Sequence, residues 1–361
     1  MKTKVEHKNS ELVSILKKEL GWHQARVKFL AGIITAMIKL QTVSFVRLSQ
    51  GFESAARMES NLRRIQRFFA EFFISQDTIA KLLFAMLPDT GAHRLCLDRT
   101  NWKFGKTDIN ILMLSVAYQG VSFPIIWTLL PKGGNSNCQE RAELMNRYLQ
   151  LFGVKSISSL MADREFIGED WFDELILEQI PFYIRLRENL WLNVPGKGNK
   201  KVFWLFNDLA LNQPRYYDKL ISYRGRYLFI CGVKILNSKN KIEFVIIASY
   251  RRDYNALNEY KHRWQIETMF RAFKTSGFNL EQTHLQNIDR ISKLISVVSI
   301  AFVWVYKVGI YLNNKIKKIK IKKHGRRAMS LFKYGLVFVA HALLNRNSTD
   351  YKICLKVLSC T

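Results

Sequence analysis

A short stretch of the sequence carries four side chains of the types that bind phosphate and metal ions. NEYKHRWQIETMFRAFKTSG, residues 258–277, contains Tyr260, Arg263, Glu267 and Lys274. At about 100° per residue, these side chains share a stripe roughly 60° wide along one face of an α-helix. Most charged stripes on helices are solvated faces with a few ion pairs. The stretch by itself therefore leaves both a solvated face and a binding site open.

Two aspartates follow apolar segments that are predicted as strands. Asp98 closes HRLCLD (93–98), and Asp163 closes SISSLMAD (156–163). Strand ends in α/β sheets hold side chains rigidly and are common positions for active sites. A single aspartate there more often forms a turn or a cap. Together with Glu267, however, the two aspartates would supply the hard oxygen ligands of a paired Mg²⁺ site, and the neighbouring cations would contact phosphates.

Alternation and helical periodicity predict the elements that would position these residues. Helices are expected over 11–40 and 55–88, and residues 190–250 contain strands with few helix signals, among them KVFWLF (201–206). Between these regions the predicted order is β-β-β-α-β-α-β, a mixed α/β arrangement. Its strands are 93–98, 109–119, 122–130, 156–163 and 181–189, and its helices are 137–152 and 168–179.

The charge balance favours a polyanionic partner. The 361 residues include 56 Lys and Arg against 29 Asp and Glu, a net charge of +27. Nucleic acid neutralises such an excess with release of counterions, and an anionic membrane surface is the alternative. Arginines at 57, 63, 64 and 67 favour DNA contact by the first helices. The run KIKKIKIKKHGRR (315–327) is either a disordered basic linker or an arm that contacts phosphates.

Three further features bear on the compartment and on a membrane location. The five cysteines are widely spread and show neither a zinc-ligand spacing nor a disulfide framework, which fits a reducing cytosol. The polar first twelve residues lack the apolar core of a signal peptide. Residues 294–312 are apolar enough to span a membrane, but Lys307 and the isolation of the segment favour a buried helix.

The combined motifs carry a resemblance to a known family. Tyr260, Arg263, Glu267 and Lys274 match the spacing Y-x2-R-x3-E-x6-K at every position. The chain resembles the DDE transposases of bacterial insertion sequences, in the group with this Tyr-Arg-Glu-Lys signature (insertion sequence family four). Further similar stretches are LDRTNWKFG (97–105), PKGGNSN (131–137) with Arg141, ADREF (162–166) and PFYIRLREN (181–189).

The resemblance implies a domain organisation. The expected fold class is α/β, an RNase H-like catalytic core with an inserted all-β subdomain and helical flanking regions. The expected domains are a helical DNA-binding domain over 1–90, the catalytic domain over 91–290 with its β insertion at 190–250, and a helical C-terminal region over 291–361 that could form a dimer contact.

The resemblance also implies the roles of individual residues. Asp98, Asp163 and Glu267 would be the catalytic residues and would bind two Mg²⁺ ions, with Mn²⁺ as a substitute. Some relatives stack a flipped base on a tryptophan of the insertion; Trp191 and Trp204 lie in this region, and core positions are equally compatible with them. The expected DNA-binding residues are Tyr260, Arg263, Lys274 and Arg164.

The implied function is cut-and-paste DNA transposition in the bacterial cytoplasm, in association with the nucleoid. A homodimer would bridge two terminal inverted repeats, cleave double-stranded DNA there, pass through a hairpin and join the ends to target DNA, without a membrane partner. Two alternatives remain from the sequence. One is an RNase H-like nuclease without strand transfer, and the other is a catalytically inactive DNA-binding inhibitor of transposition.

Overall fold

The computed structural model describes residues 10–323, 325–345 and 348–359. The first nine residues of the predicted DNA-binding domain, His324 of the basic run, and Cys360 lie outside these ranges. The α-helices are α1 (Ser10–Leu20), α2 (Gln24–Leu40), α3 (Phe45–Gln50), α4 (Met58–Glu71), α5 (Gln76–Ala85), α6 (Cys138–Phe152), α7 (Glu169–Leu177), α8 (Ala256–Tyr260), α9 (Trp264–Lys274), α10 (Ile288–Tyr311), α11 (Leu331–Leu344) and α12 (Thr349–Leu358).

The described strands form one eleven-stranded mixed sheet. In chain order they are β1 (His93–Phe104), β2 (Thr107–Tyr118), β3 (Val121–Leu130), β4 (Ile157–Ala162), β5 (Phe182–Arg185), β6 (Trp191–Val194), β7 (Gly198–Lys201), β8 (Pro214–Tyr216), β9 (Ile221–Tyr223), β10 (Arg226–Leu236) and β11 (Ile242–Ser249). Their spatial order is β3-β2-β1-β4-β5-β11-β10-β9-β6-β7, and β8 pairs with β10. The β-β-β-α-β-α-β order predicted for the first part is present.

Strand β1 differs from its prediction. It continues to Phe104, so Asp98 lies within the strand and not at its end. The reason is the hairpin with β2, whose register runs from Leu95–Val116 to Phe104–Thr107 and keeps the polar half of β1 extended. Only the first half of β1 pairs with β4, in parallel, and that pairing stops at Leu97–Ala162.

The region 190–250 continues the main sheet and does not form a sheet of its own. Strand β11 pairs antiparallel with β5 and with β10. The predicted strand over 201–206 is wrong, because β7 ends at Lys201 and a 3₁₀ turn over Val202–Leu205 follows. That turn places Val202 and Leu205 in the core. The boundaries of an inserted subdomain and of the flanking domains stay a prediction.

The stretch 258–277 is not one regular helix. Helix α8 ends at Tyr260, a 3₁₀ turn covers Lys261–Arg263, and α9 begins at Trp264. The tighter turn changes the angle between the two halves of the predicted stripe. Tyr260 and Arg263 are consequently buried and do not lie on a solvated face.

Helix α10 is the central helix of the core. Nearly all of its side chains are buried, including Trp304 and the serines at 292, 296 and 299. The candidate membrane span Ile288–Ile316 is the one found among the described residues, and 89% of its most apolar window is buried inside the protein. Helix α11 crosses α10 at Gly309 and Gly335, where the two backbones touch. The burial of α10 agrees with the buried-helix interpretation.

Candidate active site

The two predicted aspartates are brought together by neighbouring parallel strands. Leu97 of β1 pairs with Ala162 of β4, so the next residue on each strand is an aspartate. The Oδ1 atom of Asp98 accepts a hydrogen bond from the Arg99 backbone N–H at 2.7 Å. The Oδ1 atom of Asp163 accepts one from the Glu165 N–H at 2.8 Å. Each carboxylate is thereby held by a local backbone donor.

Helix α9 brings the third carboxylate to the same place. Its apolar side chains Ile266, Met269 and Phe273 are buried, and α9 packs across β1, β2 and β3. At the start of the helix, the Gly120 backbone N–H in the β2–β3 turn donates to Oε1 of Gln265 at 3.2 Å. The amphipathic pattern therefore fixes α9 with its polar residues directed along the strand carrying Asp98.

Arg263 bonds to two of the three carboxylates. Its Nη1 donates to Oδ2 of Asp98 at 3.1 Å, and its Nη2 donates to Oε1 of Glu267 at 2.5 Å. The exposed fraction of the Arg263 side chain is 8%, against 13% for Asp98 and 33% for Glu267. The second contact joins residues four apart on one helical path, as the sequence spacing predicts. The first crosses from the 3₁₀ turn before α9 to the sheet and was not predicted.

Burial dominates the electrostatics of this pair. It raises the pKa of Asp98 to about 7; Arg263 and the Arg99 N–H oppose the rise, and the charges of Asp163 and Glu165 add to it. Burial by itself lowers the pKa of Arg263, but Tyr260, Asp98 and Glu267 outweigh that effect and hold it above its ordinary value. The arginine is charged at neutral pH, and it partly offsets a local excess of carboxylates.

The remaining predicted DNA-binding residues lie around this pair in different environments. Tyr260 is buried in a small cluster with residues of β10 and β11, and burial raises its pKa to about 12. Nζ of Lys274 donates to the Asn101 carbonyl at 3.0 Å and pairs with Glu281 at 2.8 Å. Arg164 is exposed, next to Asp163. Arg164 is therefore open to solvent, whereas the other three expected DNA-binding residues, Tyr260, Arg263 and Lys274, are in contact with protein.

A second arginine braces the strand beside Asp98, and the sequence analysis missed it. The guanidinium of Arg99 donates to Glu165 at 3.2 and 3.3 Å, to Oδ1 of Asn110 at 3.0 Å and to Oδ1 of Asn135 at 3.1 Å. Asn110 in turn donates to the carbonyls of Lys132 and Gly134. The available signal was Asn110 itself, a polar side chain inside the apolar run INILML.

The loop after β3 is tied to the Asp163 turn by Arg141. This buried side chain donates to Ser136 through Nε and Nη2 at 2.9 and 2.6 Å, and to the Glu165 carbonyl at 3.1 Å. Its guanidinium also lies 5.0 Å from the centre of the Phe166 ring. The stretches PKGGNSN and ADREF, which are 25 residues or more apart in the sequence, thus form one bonded unit beside the aspartates.

The two tryptophans of the 190–250 region are not core residues. Trp191 and Trp204 are 58% and 59% exposed. They line a cavity of about 880 Å³ together with Lys200, Lys201 and Arg215. Nζ of Lys201 lies 5.8 Å from the centre of the Trp191 ring. The Trp204 ring stacks on Phe203, with ring centres 5.3 Å apart, so each tryptophan is exposed but has a neighbour near its ring.

The residues present fit a divalent cation in donor type. Asp98 is a buried carboxylate whose pKa is raised by burial and further by the charges of Asp163 and Glu165, and a hard, oxygen-liganded cation would offset this excess of negative charge. Across the described ranges, however, no three Asp, Glu, His or Cys side chains lie close enough together to hold a metal ion. Between Asp98 and Glu267 lies the guanidinium of Arg263, which bonds to both. The metal-binding roles of the three residues stay a prediction.

Comparison with known proteins identifies the family. The family model described as Transposase DDE domain matches residues 89–304, more than half of the chain. This span contains all three carboxylates and the bracing network. No curated protein matches the chain. The α/β architecture with its mixed sheet fits the RNase H-like core of such a domain. The protein belongs to the DDE transposase family, whose members act on DNA as nucleases and transposases and use a divalent metal.

Proposed function

We propose that the protein is a cut-and-paste transposase of the group with the Tyr-Arg-Glu-Lys signature, and that it cleaves DNA at transposon ends and joins those ends to a target. The observation that carries the proposal is that Arg263 links Asp98 of β1 to Glu267 of α9, while the parallel pairing of β1 with β4 puts Asp98 and Asp163 at the same step of two neighbouring strands. Metal ligation by carboxylates from separate elements is the chemistry that phosphodiester cleavage uses.

Mg²⁺, with Mn²⁺ as a substitute, would be held by Asp98, Asp163 and Glu267. When bound, two such ions supply activation of a water or 3′-hydroxyl nucleophile and stabilisation of the departing oxygen. The neighbouring side chains have separate tasks. Lys274 and Arg263 hold the phosphates beside the cleaved bond by charge-assisted hydrogen bonds. Arg99 keeps the Glu165 turn and the strand of Asp98 in register.

The helices before residue 90 would bind the duplex next to the cleavage point. Helix α4 exposes Arg63 and Arg67, and Arg57 is exposed just before it, while Ile65 and Phe68 are buried. An exposed cationic face on an anchored helix suits contact with the DNA backbone, which positions a protein without reading sequence. The complete reaction would use a homodimer on two inverted repeats, in the bacterial cytoplasm.

A cleavage assay on a labelled duplex tests the proposal. The duplex carries the inverted repeat that flanks the coding sequence, and the wild type is compared with Glu267→Gln in MgCl₂. The substitution keeps the shape and the Arg263 hydrogen-bond acceptor but removes the charge, so DNA binding is expected to persist while cleavage is lost. Glu259→Gln is the matched control. Glu259 lies in the same stretch as Glu267, residues 258–277, but it pairs with the exposed Arg94. Cleavage by Glu267→Gln at the wild-type rate would refute the proposed site.

A target plasmid added to the same reaction separates the alternatives. Joined products support a transposase, whereas cleavage without joining supports an RNase H-like nuclease. Binding by the wild type with no cleavage supports an inhibitor. Hydrolysis and strand transfer share the same carboxylates, so only the product distinguishes them.

A further inference from the structure

Arg263 occupies a position that conflicts with its expected task. A residue that grips a DNA phosphate would be accessible, but the exposed fraction of Arg263 is 8% and its two Nη atoms are engaged by Asp98 and Glu267. Its Nε is also buried, and no described residue forms a hydrogen bond with it. A guanidinium offers five donors in a fixed fork, so an arginine in its final position would be expected to use Nε as well. The site satisfies the arginine only in part.

The contacts of Arg263 are those of a replacement for a cation. The guanidinium links a carboxylate of the sheet to a carboxylate of α9, at 3.1 and 2.5 Å. Without a positive charge between them, two partly buried carboxylates would repel each other. The rings of Trp264 and Tyr260, at 5.1 and 5.9 Å from the guanidinium carbon, add attraction to the same position. The arginine therefore keeps the carboxylates together when no other cation is present.

A divalent ion and the guanidinium cannot both lie between the same two oxygens. An ion shared by Asp98 and Glu267 needs both carboxylates at direct bonding distance, and the bridging Nη atoms fill that space. Charge repulsion adds to the steric conflict, because the ion would stand next to a fixed positive charge. Arg263 would therefore have to release Oδ2 of Asp98 or Oε1 of Glu267 before an ion could use both of these oxygens.

A DNA phosphate is a suitable new partner for the released arginine. The N–H groups of a guanidinium donate to phosphate oxygens as they do to carboxylate oxygens, so a phosphate can take the place of a carboxylate partner. We propose that Arg263 is an exchangeable counter-cation of the active site: it holds Asp98 and Glu267 in the absence of DNA, and its transfer to a DNA phosphate frees them for the divalent ion. The inference rests on the proposed function, since it assumes that these carboxylates bind the metal.

The consequence is a coupling between DNA and metal binding. In the absence of DNA the wild type is expected to bind metal weakly, because the arginine competes for the same oxygens. A ligand that binds one of two states shifts the equilibrium by its difference in affinity for the two states, and the effect is reciprocal. DNA should therefore raise the affinity for metal, and metal the affinity for DNA, and both effects should depend on Arg263.

Direct metal binding tests the inference without catalysis. Mn²⁺ binding to the full chain is measured by electron paramagnetic resonance, first without DNA, for wild type, Arg263→Gln and Arg271→Gln. Arg271 is exposed on the same helix, so its substitution removes one charge without touching the carboxylates. Arg263→Gln is expected to tighten Mn²⁺ binding by about tenfold or more, and Arg271→Gln by much less. Equal or weaker binding by Arg263→Gln, or an equal gain in both variants, would overturn the inference.

A short duplex of arbitrary sequence completes the test. The duplex should tighten Mn²⁺ binding by the wild type and have little effect on Arg263→Gln, in which the competing cation is already gone. The same increase in both proteins would overturn the coupling. Thermal melting verifies folding, and Arg263→Lys replaces Arg263→Gln if the latter does not fold. A lysine can bond to only one of the two carboxylates, so this variant should bind Mn²⁺ with an affinity between those expected for the wild type and Arg263→Gln. An Mn²⁺ affinity equal to that of the wild type would count against the inference.

Failure of this inference and failure of the proposed function give different results. If Glu267→Gln weakens Mn²⁺ binding and abolishes cleavage while Arg263→Gln binds Mn²⁺ like the wild type, only the counter-cation role is wrong. If Glu267→Gln changes neither Mn²⁺ binding nor cleavage, the assignment of the site itself is wrong.

Discussion

Arg99 allows a quantitative test of how the aspartate strand is held. Its side chain is 12% exposed and bonds to Glu165, Asn110 and Asn135. Replacing it with leucine removes these bonds but keeps the backbone N–H that donates to Asp98. The substitution therefore perturbs the brace around the aspartate and leaves the direct contact of its carboxylate in place.

The expected cost follows from the burial of the partners left behind. Asn110 is 1% exposed, and a buried acceptor that loses its donor costs about 1–3 kcal/mol. Glu165 is 20% exposed, so water replaces part of its ion pair with Arg99. The loss of this ion pair should therefore cost about 1 kcal/mol, well below the value for a fully buried pair. Arg99→Leu should lower the free energy of unfolding by about 2–4 kcal/mol. Arg99→Lys should recover less than half of this loss, because an ammonium cannot reproduce the planar fork.

Urea unfolding followed by tryptophan fluorescence measures the change. Lys103→Leu is the control on the same strand, since Lys103 is 73% exposed and its ion pair with Asp108 should contribute less than about 1 kcal/mol. If Arg99→Leu unfolds at the same urea concentration as Lys103→Leu, the network does not hold the strand. If Arg99→Lys is as stable as the wild type, the bidentate geometry has no energetic role.

Three further predictions concern other parts of the chain. Gly335→Ala should lower the free energy of unfolding by about 1–3 kcal/mol in thermal melts, because the added Cβ would lie 1.9 Å from the Val305 carbonyl oxygen; stability equal to the wild type would mean that α10 and α11 separate easily. Asn137→Ala should cost about 1 kcal/mol, since it breaks a capping box at the start of α6, and Asn137→Ser should restore most of it. Arg63→Gln and Arg67→Gln should each reduce the slope of log DNA affinity against log salt by about one if α4 contacts phosphates, and an unchanged slope would exclude that contact.

The order of strands and helices in the core could be predicted because each of these elements has its own local sequence pattern. Apolar runs bounded by turn residues predicted β2, β3 and β4, and the helix predicted over 137–152 corresponds to α6. The extension of β1 past Asp98 could not be predicted in the same way. Its second half is polar, and pairing with β2 alone keeps it extended. Tertiary pairing overrides local propensity in such segments.

The site was predicted in part for a related reason. Spacing placed Arg263 and Glu267 on one helical path, and parallel pairing of β1 with β4 makes their aspartates neighbours. Helical periodicity gives the direction of each side chain around the helix axis, but it does not say which side of the helix is buried against the sheet. The 3₁₀ turn over Lys261–Arg263 and the packing of α9 on β1 decide that Arg263 points to Asp98. Both depend on contacts between residues that lie 165 positions apart.

The charges of the site connect its stability to its function. In the absence of DNA, Arg263 is bound to carboxylates and Lys274 to a backbone carbonyl and to Glu281. Buried carboxylates without such partners would destabilise the fold, because each would carry an uncompensated charge. The same partners weaken the site for its reaction, since a phosphate must compete for each cation and a metal ion for each carboxylate. A duplex that supplies phosphates to both cations at once offsets these losses together. The counter-cation inference therefore predicts that DNA bound near α9 frees Asp98 and Glu267 for a divalent ion, and that DNA is cleaved only in complexes that already hold it.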